Sequence, residues 1–266
     1  MRKVGLIAGE GILPLEFIRA ARERGERVIV FGLEGMADPS VEKAADRVYW
    51  VNIWQYRKFV FLLLKERIRR LAFLGKVKKN VIYDDKSNNT AGKTELNRLR
   101  DRKDSSIFNE ITKRLKKIGI EVIEGTQYLS HLLPEKGVLS RTVPDARVGE
   151  DIKFGYEMAK KLAGMDIGQT VVIKDKSVVA IEAMEGTDAT IERAGRLAGE
   201  GCVMIKVSRP DQDLRWDVPT VGPKTMAKLV EQGFSALAIE SGRMFLVEKE
   251  KMVGMADSAK IAVSVI

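Results

Sequence analysis

Short apolar runs that end in glycine, each followed by a stretch of helical spacing, constrain this chain more than any other feature. Val4 to Ala8 runs into Gly9-Glu10-Gly11, after which Ile12, Leu15, Ile18 and Ala21 recur one helical turn apart up to Gly25. Val28 to Phe31 reads as a second strand ending at Gly32, Val48 to Val51 as a third, and Leu71 to Leu74 as a fourth ending at Gly75. Helices are expected over 59–68 and 107–118, with Ile120 to Ile123 as the last strand of this half. Strands alternating with helices imply parallel βαβ units with right-handed crossovers, so the amino-terminal half reads as Rossmann-like. Ligands of such sheets bind beyond the carboxyl ends of the strands, where the glycines lie. Gly9 and Gly11 are therefore candidate phosphate contacts, because a glycine turn presents unpaired N–H groups at a helix amino terminus. The full dinucleotide fingerprint is not met, since the third glycine is missing.

The second half has a different grammar. Pro134, Gly137, Pro144 and Gly149 interrupt the periodic pattern, which places a linker at 134–150 between a domain at 1–133 and one at 151–266. The expected fold class is α/β, with a Rossmann-like parallel sheet in the amino-terminal domain and a carboxyl-terminal catalytic α/β domain. A helix is expected over 152–163. Val171 to Ile173 and Val178 to Ala183 flank Lys174-Asp175-Lys176-Ser177 as a β-hairpin. A helix over 189–197 follows, capped by Thr187 or Asp188. Strands at 203–206, 236–239 and 245–247 and a helix at 226–232 complete the expected elements.

Charge and residue counts bound the chemistry. A formal net charge of +9 favours anionic partners. Lysines and arginines crowd 76–104, but acids are interleaved and no aromatic stands between Tyr83 and Phe108 for base stacking, so nucleic acid is not an expected partner. Gly92-Lys93-Thr94 fails as a P-loop, because Ser87 occupies the position of its first glycine. The single cysteine, Cys202, excludes a disulfide within the chain and reads as a buried apolar residue; the single histidine, His131, excludes a histidine-rich zinc site. No signal peptide or membrane-spanning run is visible, so a cytoplasmic location is expected, with any membrane contact peripheral.

The densest chemistry lies between Lys206 and Thr225. Those residues hold three aspartates, four cations and three prolines, and proline stiffening suits a loop that aims side chains. Cleaving a diphosphate needs neutralisation of phosphoryl oxygens and an oriented water. Asp217, between Trp216 and Val218-Pro219, is the prime catalytic candidate. Lys206, Arg209, Arg215 and Lys224 are candidate diphosphate clamps, and Gln212 and Thr220 candidate neutral contacts. Trp216 is read either as a base-stacking residue or as an anchor for the loop. Glu185, Thr187 and Asp188 offer further ligand contacts.

The run from Arg209 to Thr225 resembles the signature of the UDP-2,3-diacylglucosamine pyrophosphatases of lipid A synthesis, the type unrelated to calcineurin-like phosphoesterases. Gly5 to Pro14, Asp166-Ile167-Gly168-Gln169 and Glu182 to Asp188 carry the same resemblance, in the same order. It implies hydrolysis at the α-phosphorus of UDP-2,3-diacylglucosamine to UMP and 2,3-diacylglucosamine 1-phosphate, with the substrate between two domains. It also implies Asp217 as the essential aspartate, Mg²⁺ as the cofactor, a homodimer, and work at the cytoplasmic face of the inner membrane; Asp217 is the candidate metal ligand or base, with Asp188 and then Glu185 as candidates for a second ligand. Glu10 stands where that family usually has another glycine. A pyrophosphatase for another nucleoside diphosphate conjugate and a non-catalytic nucleotide-sugar-binding module remain as alternative readings.

Overall fold

The structure, a computed structural model, describes residues 2–52, 55–77 and 104–266, with side chains from 108 onward in the last stretch. The basic stretch after Gly75 lies outside the described residues from position 78 to 103. The chain forms two compact units, Met1–Leu129 with Leu214–Trp216, and Ser130–Asp213 with Asp217–Ile266.

The first unit is built on a five-stranded parallel sheet of β1 (Lys3–Ala8), β2 (Arg27–Leu33), β3 (Arg47–Val51), β4 (Arg70–Leu74) and β5 (Glu121–Val122), in the order β3-β2-β1-β4-β5. Its described helices are α1 (Leu13–Glu23), the short α2 (Val41–Ala44), α3 (Tyr56–Lys65) and α4 (Asp104–Lys117). Helix α3 stops earlier than periodicity predicts: Arg67 takes a left-handed φ of 54°, and Ile68 turns inward ahead of β4. Ile29, Phe31, Leu63, Leu71, Leu115 and Ile120 fill the core between sheet and helices. The strand order reverses between β1 and β4, which is where ligands enter folds of this type. Gly9 and Gly75 meet at that point. Gly9 N–H donates to the Leu74 carbonyl (2.8 Å), and the backbones of Glu10 and Lys76 exchange hydrogen bonds of 3.0 and 2.9 Å. A Cβ on Gly9 would lie 2.7 Å from the Lys76 carbonyl oxygen, so two loops touch there through bare backbone.

The second unit carries a six-stranded mixed sheet in the order β6-β13-β11-β9-β7-β8. Its strands are β6 (Gly137–Val138), β7 (Thr170–Lys174), β8 (Ser177–Ile181), β9 (Val203–Lys206), β11 (Ala236–Ile239) and β13 (Ala262–Val265), while β10 (Thr220–Val221) and β12 (Phe245–Leu246) pair separately. The helices are α5 (Ala146–Gly164), α6 (Thr187–Ala198), α7 (Pro223–Glu231) and α8 (Lys249–Ser258). Strands β9, β11 and β13 are parallel to one another, and β7 runs antiparallel to β9. Because successive strand residues face opposite sides, Val203 and Ile205 pack with Ile152, Ala159 and Ala163 of α5. Met204 packs on the other side with Ile191, Met226 and Met252 of α6, α7 and α8. Cys202 is fully buried in that second cluster, as expected of a small apolar residue. Helix α5 begins at Ala146, six residues ahead of the expected start, because the Asp145 carboxylate caps it by accepting from Val148 N–H (2.8 Å). Among the described residues no helix is long and apolar enough to cross a membrane.

Candidate active site

Three sequence-distant segments meet at one edge of the second sheet because of its register. Thr170 at the start of β7 pairs with Lys206 at the end of β9, and Lys206 pairs with Ile239 at the end of β11. Ile181 at the end of β8 pairs with Val171. The Asp166–Gln169 turn, the Glu182–Asp188 segment and the Lys206–Asp217 loop therefore all emerge at the carboxyl end of β9. Gly168 makes the approach possible: a Cβ there would fall 1.9 Å from the Glu182 carbonyl oxygen.

Asp217 stands in this loop with a side chain 52% exposed. It is held from behind. Gln212, buried, donates through Nε2 to the Asp217 carbonyl (2.5 Å) and to its Oδ2 (3.2 Å). The same amide accepts from Arg209 N–H (3.2 Å) and Arg209 Nε (3.3 Å) through Oε1. Arg209 extends Nη1 to Asp166 (2.7 Å) and Nη2 toward Asp217 Oδ2 (3.7 Å). A carboxylate gripped by an amide and a guanidinium keeps its direction. Arg209, Gln212 and Asp217, expected as separate ligand contacts, are thus joined to one another by hydrogen bonds and ion pairs, and Asp166 joins them as a partner that periodicity did not reveal.

Lys206 forms a second cluster. Alternation along β9 puts it on the same face as Met204, toward α6, and it is buried. Its Nζ donates to Thr187 Oγ1 (2.9 Å), and Thr187 in turn donates to Glu182 Oε1 (2.7 Å). This corrects the expected cap: Gly186, at φ 83°, is the N-cap of α6, and neither Thr187 nor Asp188 caps it. Thr187 is instead turned back onto Glu182 and Lys206, while Asp188 is exposed in the first helical turn. Glu185 is occupied structurally. It accepts from Ala183 N–H (3.1 Å) and Arg193 (2.7 Å), and backbone hydrogen bonding foremost, opposed by burial and aided by Arg193, holds its pKa below the ordinary value. Thr220 spends its hydroxyl on the Val218 carbonyl (3.0 Å), and Lys224 is exposed near the start of α7. Gly9, Gly11 and Arg215 belong to the first unit, where Gly11 has φ 107°. Trp216 also belongs there, packed on Phe73 (4.0 Å between ring centres) and stacked on Phe108 (4.6 Å), which fits the anchoring role rather than base stacking.

Comparison with known proteins gives a family for this arrangement. Residues 3–132 match the model of the LpxI N-terminal domain, and residues 135–264 match that of the LpxI C-terminal domain. The chain belongs to the LpxI family. A curated relative, UDP-2,3-diacylglucosamine pyrophosphatase LpxI of Caulobacter vibrioides, is 28% identical over 270 aligned residues, covering 97% of this chain and 95% of that protein. Solved structures that align include biotin carboxylase from Campylobacter jejuni in complex with beta-gamma-ATP (14% identity, 74% of this chain and 42% of that one, TM-score 0.32). N5-carboxyaminoimidazole ribonucleotide synthetase from Thermotoga maritima aligns at 17% identity over 70% of this chain and 42% of that one, with a TM-score of 0.25. The chain spans less than half the length of each, and at these scores the likeness carries no weight for fold or site.

Among the described residues of this chain, no group of three or more His, Cys, Asp or Glu side chains is arranged to hold a metal. Mg²⁺ sites completed by substrate phosphates and water need only one or two carboxylates from the protein. Asp217 supplies an exposed carboxylate of that kind, whereas the contacts that hold it do not include Asp188. Gln169 and Glu182, quoted in the sequence motifs but given no role there, both lie at the same sheet edge. Gln169 buries its Oε1 without a protein partner and passes its backbone carbonyl to Val207 N–H (2.9 Å). The signal for both was their place in the two shared motifs. Nothing in a local pattern marks a strand end in a sheet whose register is set by distant residues.

Proposed function

We propose that this LpxI-family chain is a hydrolase that cleaves the pyrophosphate of UDP-2,3-diacylglucosamine by attack of water on the α-phosphorus. The water oxygen joins the α-phosphorus, the bond from that phosphorus to the bridging oxygen breaks, and the bridging oxygen leaves with 2,3-diacylglucosamine 1-phosphate. UMP is the other product. The observation that carries the reading is Asp217, exposed in the shared motif yet fixed by Gln212 and Arg209 at the carboxyl end of β9. A carboxylate held in one direction orients a water or accepts its proton. Arg209 and Lys206 bring positive charge to the same edge, where charge develops on phosphoryl oxygens. Mg²⁺, when bound by Asp217, with Asp188 as the proposed second ligand, would supply further neutralisation of those oxygens. The curated relative's name and the two family models support the substrate class. To the same proposal belong a homodimeric state and peripheral contact with the cytoplasmic face of the inner membrane, for which the basic balance of the chain is suited.

The test is UMP release from UDP-2,3-diacylglucosamine in heavy-oxygen water by the wild type and Asp217→Ala, with Mg²⁺ and with EDTA. Release that requires Asp217 and metal, with label in UMP, is the expected result. Label in the sugar phosphate would move the attack to the β-phosphorus, and a folded wild type without turnover would sink the substrate.

A further inference from the structure

The loop that carries Arg209, Gln212 and Asp217 is tied down at its root by a carboxylate that none of the shared motifs contains. Glu240, directly after β11, is only 8% exposed, and Ser208, two residues after the end of β9, is fully buried beside it. Glu240 Oε2 accepts from both Ser208 N–H (2.8 Å) and Ser208 Oγ (2.6 Å). Its Oε1 accepts from Lys160 of α5 (2.8 Å), and Lys160 closes the ring by donating to the Ser208 carbonyl (3.0 Å). Every hydrogen-bonding group of Ser208 is thereby engaged. Three residues on from Glu240, Arg243 donates through Nη2 to the carbonyls of Arg209 (3.4 Å) and Pro210 (3.3 Å).

We infer that Glu240 is a positioning residue for hydrolysis: it fixes the backbone of Ser208, and through it the direction of Arg209, Gln212 and Asp217. The inference rests on the function proposed above. A chain of contacts carries it, from Glu240 to Ser208, along the peptide to Arg209, from Arg209 to Gln212 and from Gln212 to Asp217. Its cost is a buried charge, and a carboxylate is not needed to close a sheet edge. A fully satisfied buried network of this kind specifies one geometry. Burial pushes the Glu240 carboxyl up, but hydrogen bonds from Lys160 and Ser208 outweigh it and leave the pKa below the ordinary value. Glu240 also lines a cavity of about 480 Å³ with Lys136, Tyr156, Ser241 and Ile266, which gives a small carboxylate room to replace it.

The experiment compares the wild type, Asp217→Ala and Glu240→Ala in UMP release, with formate titrated into each. Misplacing a catalytic group by about 1 Å costs roughly 100-fold, so Glu240→Ala is expected to lose about 100-fold in kcat with KM within about threefold. Formate should restore its activity saturably, leaving Asp217→Ala inactive. A folded Glu240→Ala with kcat within about threefold of wild type, a loss confined to KM, or a loss untouched by formate would overturn the inference. Should Glu240→Ala not fold, Glu240→Gln takes its place; it keeps the size and loses the charge, and an unchanged kcat there overturns the inference equally. A wild type that releases no UMP is a failure of the substrate reading instead. In that event trypsin cleavage after Arg215 reads the loop directly: faster cutting in the Glu240 variant upholds the positioning, and equal rates remove it.

Discussion

Gly168→Ala is the sharpest perturbation this structure offers, because one methyl group decides it. The new Cβ would sit 1.9 Å from the Glu182 carbonyl oxygen and 2.7 Å from its carbonyl carbon. Carbon-to-oxygen contacts close no nearer than about 3.3 Å, so the two segments would have to part by roughly 1.4 Å. The obstacle is backbone, which has no rotamer to give, and Glu182 N–H is already tied to the Thr170 carbonyl at 2.9 Å. Overpacking costs about 1–3 kcal/mol, and the rigid obstacle places this case at about 3. At about 2–4 °C per kcal/mol for a domain of this size, the second unit should melt about 6–12 °C lower. Activity should fall further than stability implies, by about 100-fold at a temperature where the variant is folded, since the shift separates Glu182 and Thr187 from Lys206. Gly164→Ala is the matched control. Its nearest neighbour, Pro210 Cγ, is 3.8 Å away, so alanine fits at the end of α5 and should add up to about 1 kcal/mol. Calorimetric melting and UMP release on the two variants check both signs. If Gly168→Ala melts within about 2 °C of wild type, the close approach that assembles this edge does not exist as described.

Three other substitutions probe separate layers of the molecule. Lys206→Met keeps the length of the side chain and removes the charge; kcat/KM should fall about 100-fold while Tm holds or rises, because an apolar chain replaces a buried amine. A fall in Tm that matches the activity loss would make Lys206 structural. Arg209→Lys should cost about 10- to 100-fold in kcat/KM, since one ammonium cannot hold Asp166, Gln212 and Asp217 together. Full activity in that variant would remove the guanidinium from the argument. In the first unit, Glu66 accepts from Tyr49 (2.7 Å), Arg47 (2.6 Å) and Lys3 (3.4 Å), and the Tyr49 bond foremost lowers its pKa against burial, with Arg47 adding to it. A depressed carboxylate contributes stability above the unfolded pKa and loses it as pH falls through the folded one. Glu66→Gln should therefore cost about 1–2 kcal/mol near neutral pH, with urea curves of variant and wild type converging below about pH 4.3. Curves that stay parallel into acid would exclude ionisation as the source.

The parallel sheet of the first unit was legible because each strand is a local apolar run, with β1 and β4 ending directly at Gly9 and Gly75, and each run was found where expected. The carboxyl-terminal elements were less so. Helix α8 reads Lys-Glu-Lys-Met-Val-Gly-Met-Ala-Asp-Ser, with two buried residues, Met252 and Ala256, on an otherwise polar helix, too few to announce a period. Strand β13 is buried on both faces and lacks alternation, so Ala262–Val265 had no strand signature of its own. Within the site, Asp217, Arg209 and Gln212 were legible as a dense loop, because their spacing is local. Asp166 and Glu240 were not, since what makes them partners is the register of β9 with β7 and β11, which local sequence does not carry. The expected α6 cap failed for a related reason: a threonine beside a glycine reads as a cap locally, but a buried lysine arriving on β9 claims its hydroxyl.

The loop after β9 thus has two kinds of residue, and the difference follows from where each sits along it. At its root, Ser208 is buried and hydrogen-bonded to the buried Glu240 at the sheet edge. Farther on, Asp217 is half exposed and, among the described residues, its carboxylate is reached by the side chains of Gln212 and Arg209. A residue that meets a phosphate must be open to solvent before the substrate arrives, so rigidity cannot come from burying it. It has to be supplied from the buried root, through residues that never touch the reaction. That division explains why charges are buried at the root at all, since an apolar root would close the sheet equally well but leave the carboxylate free to wander. It also orders the expected losses: substitutions at the exposed tip should remove chemistry without moving Tm, whereas substitutions at the root should lower kcat through misplacement and, where a charge is left unpaired, lower Tm as well.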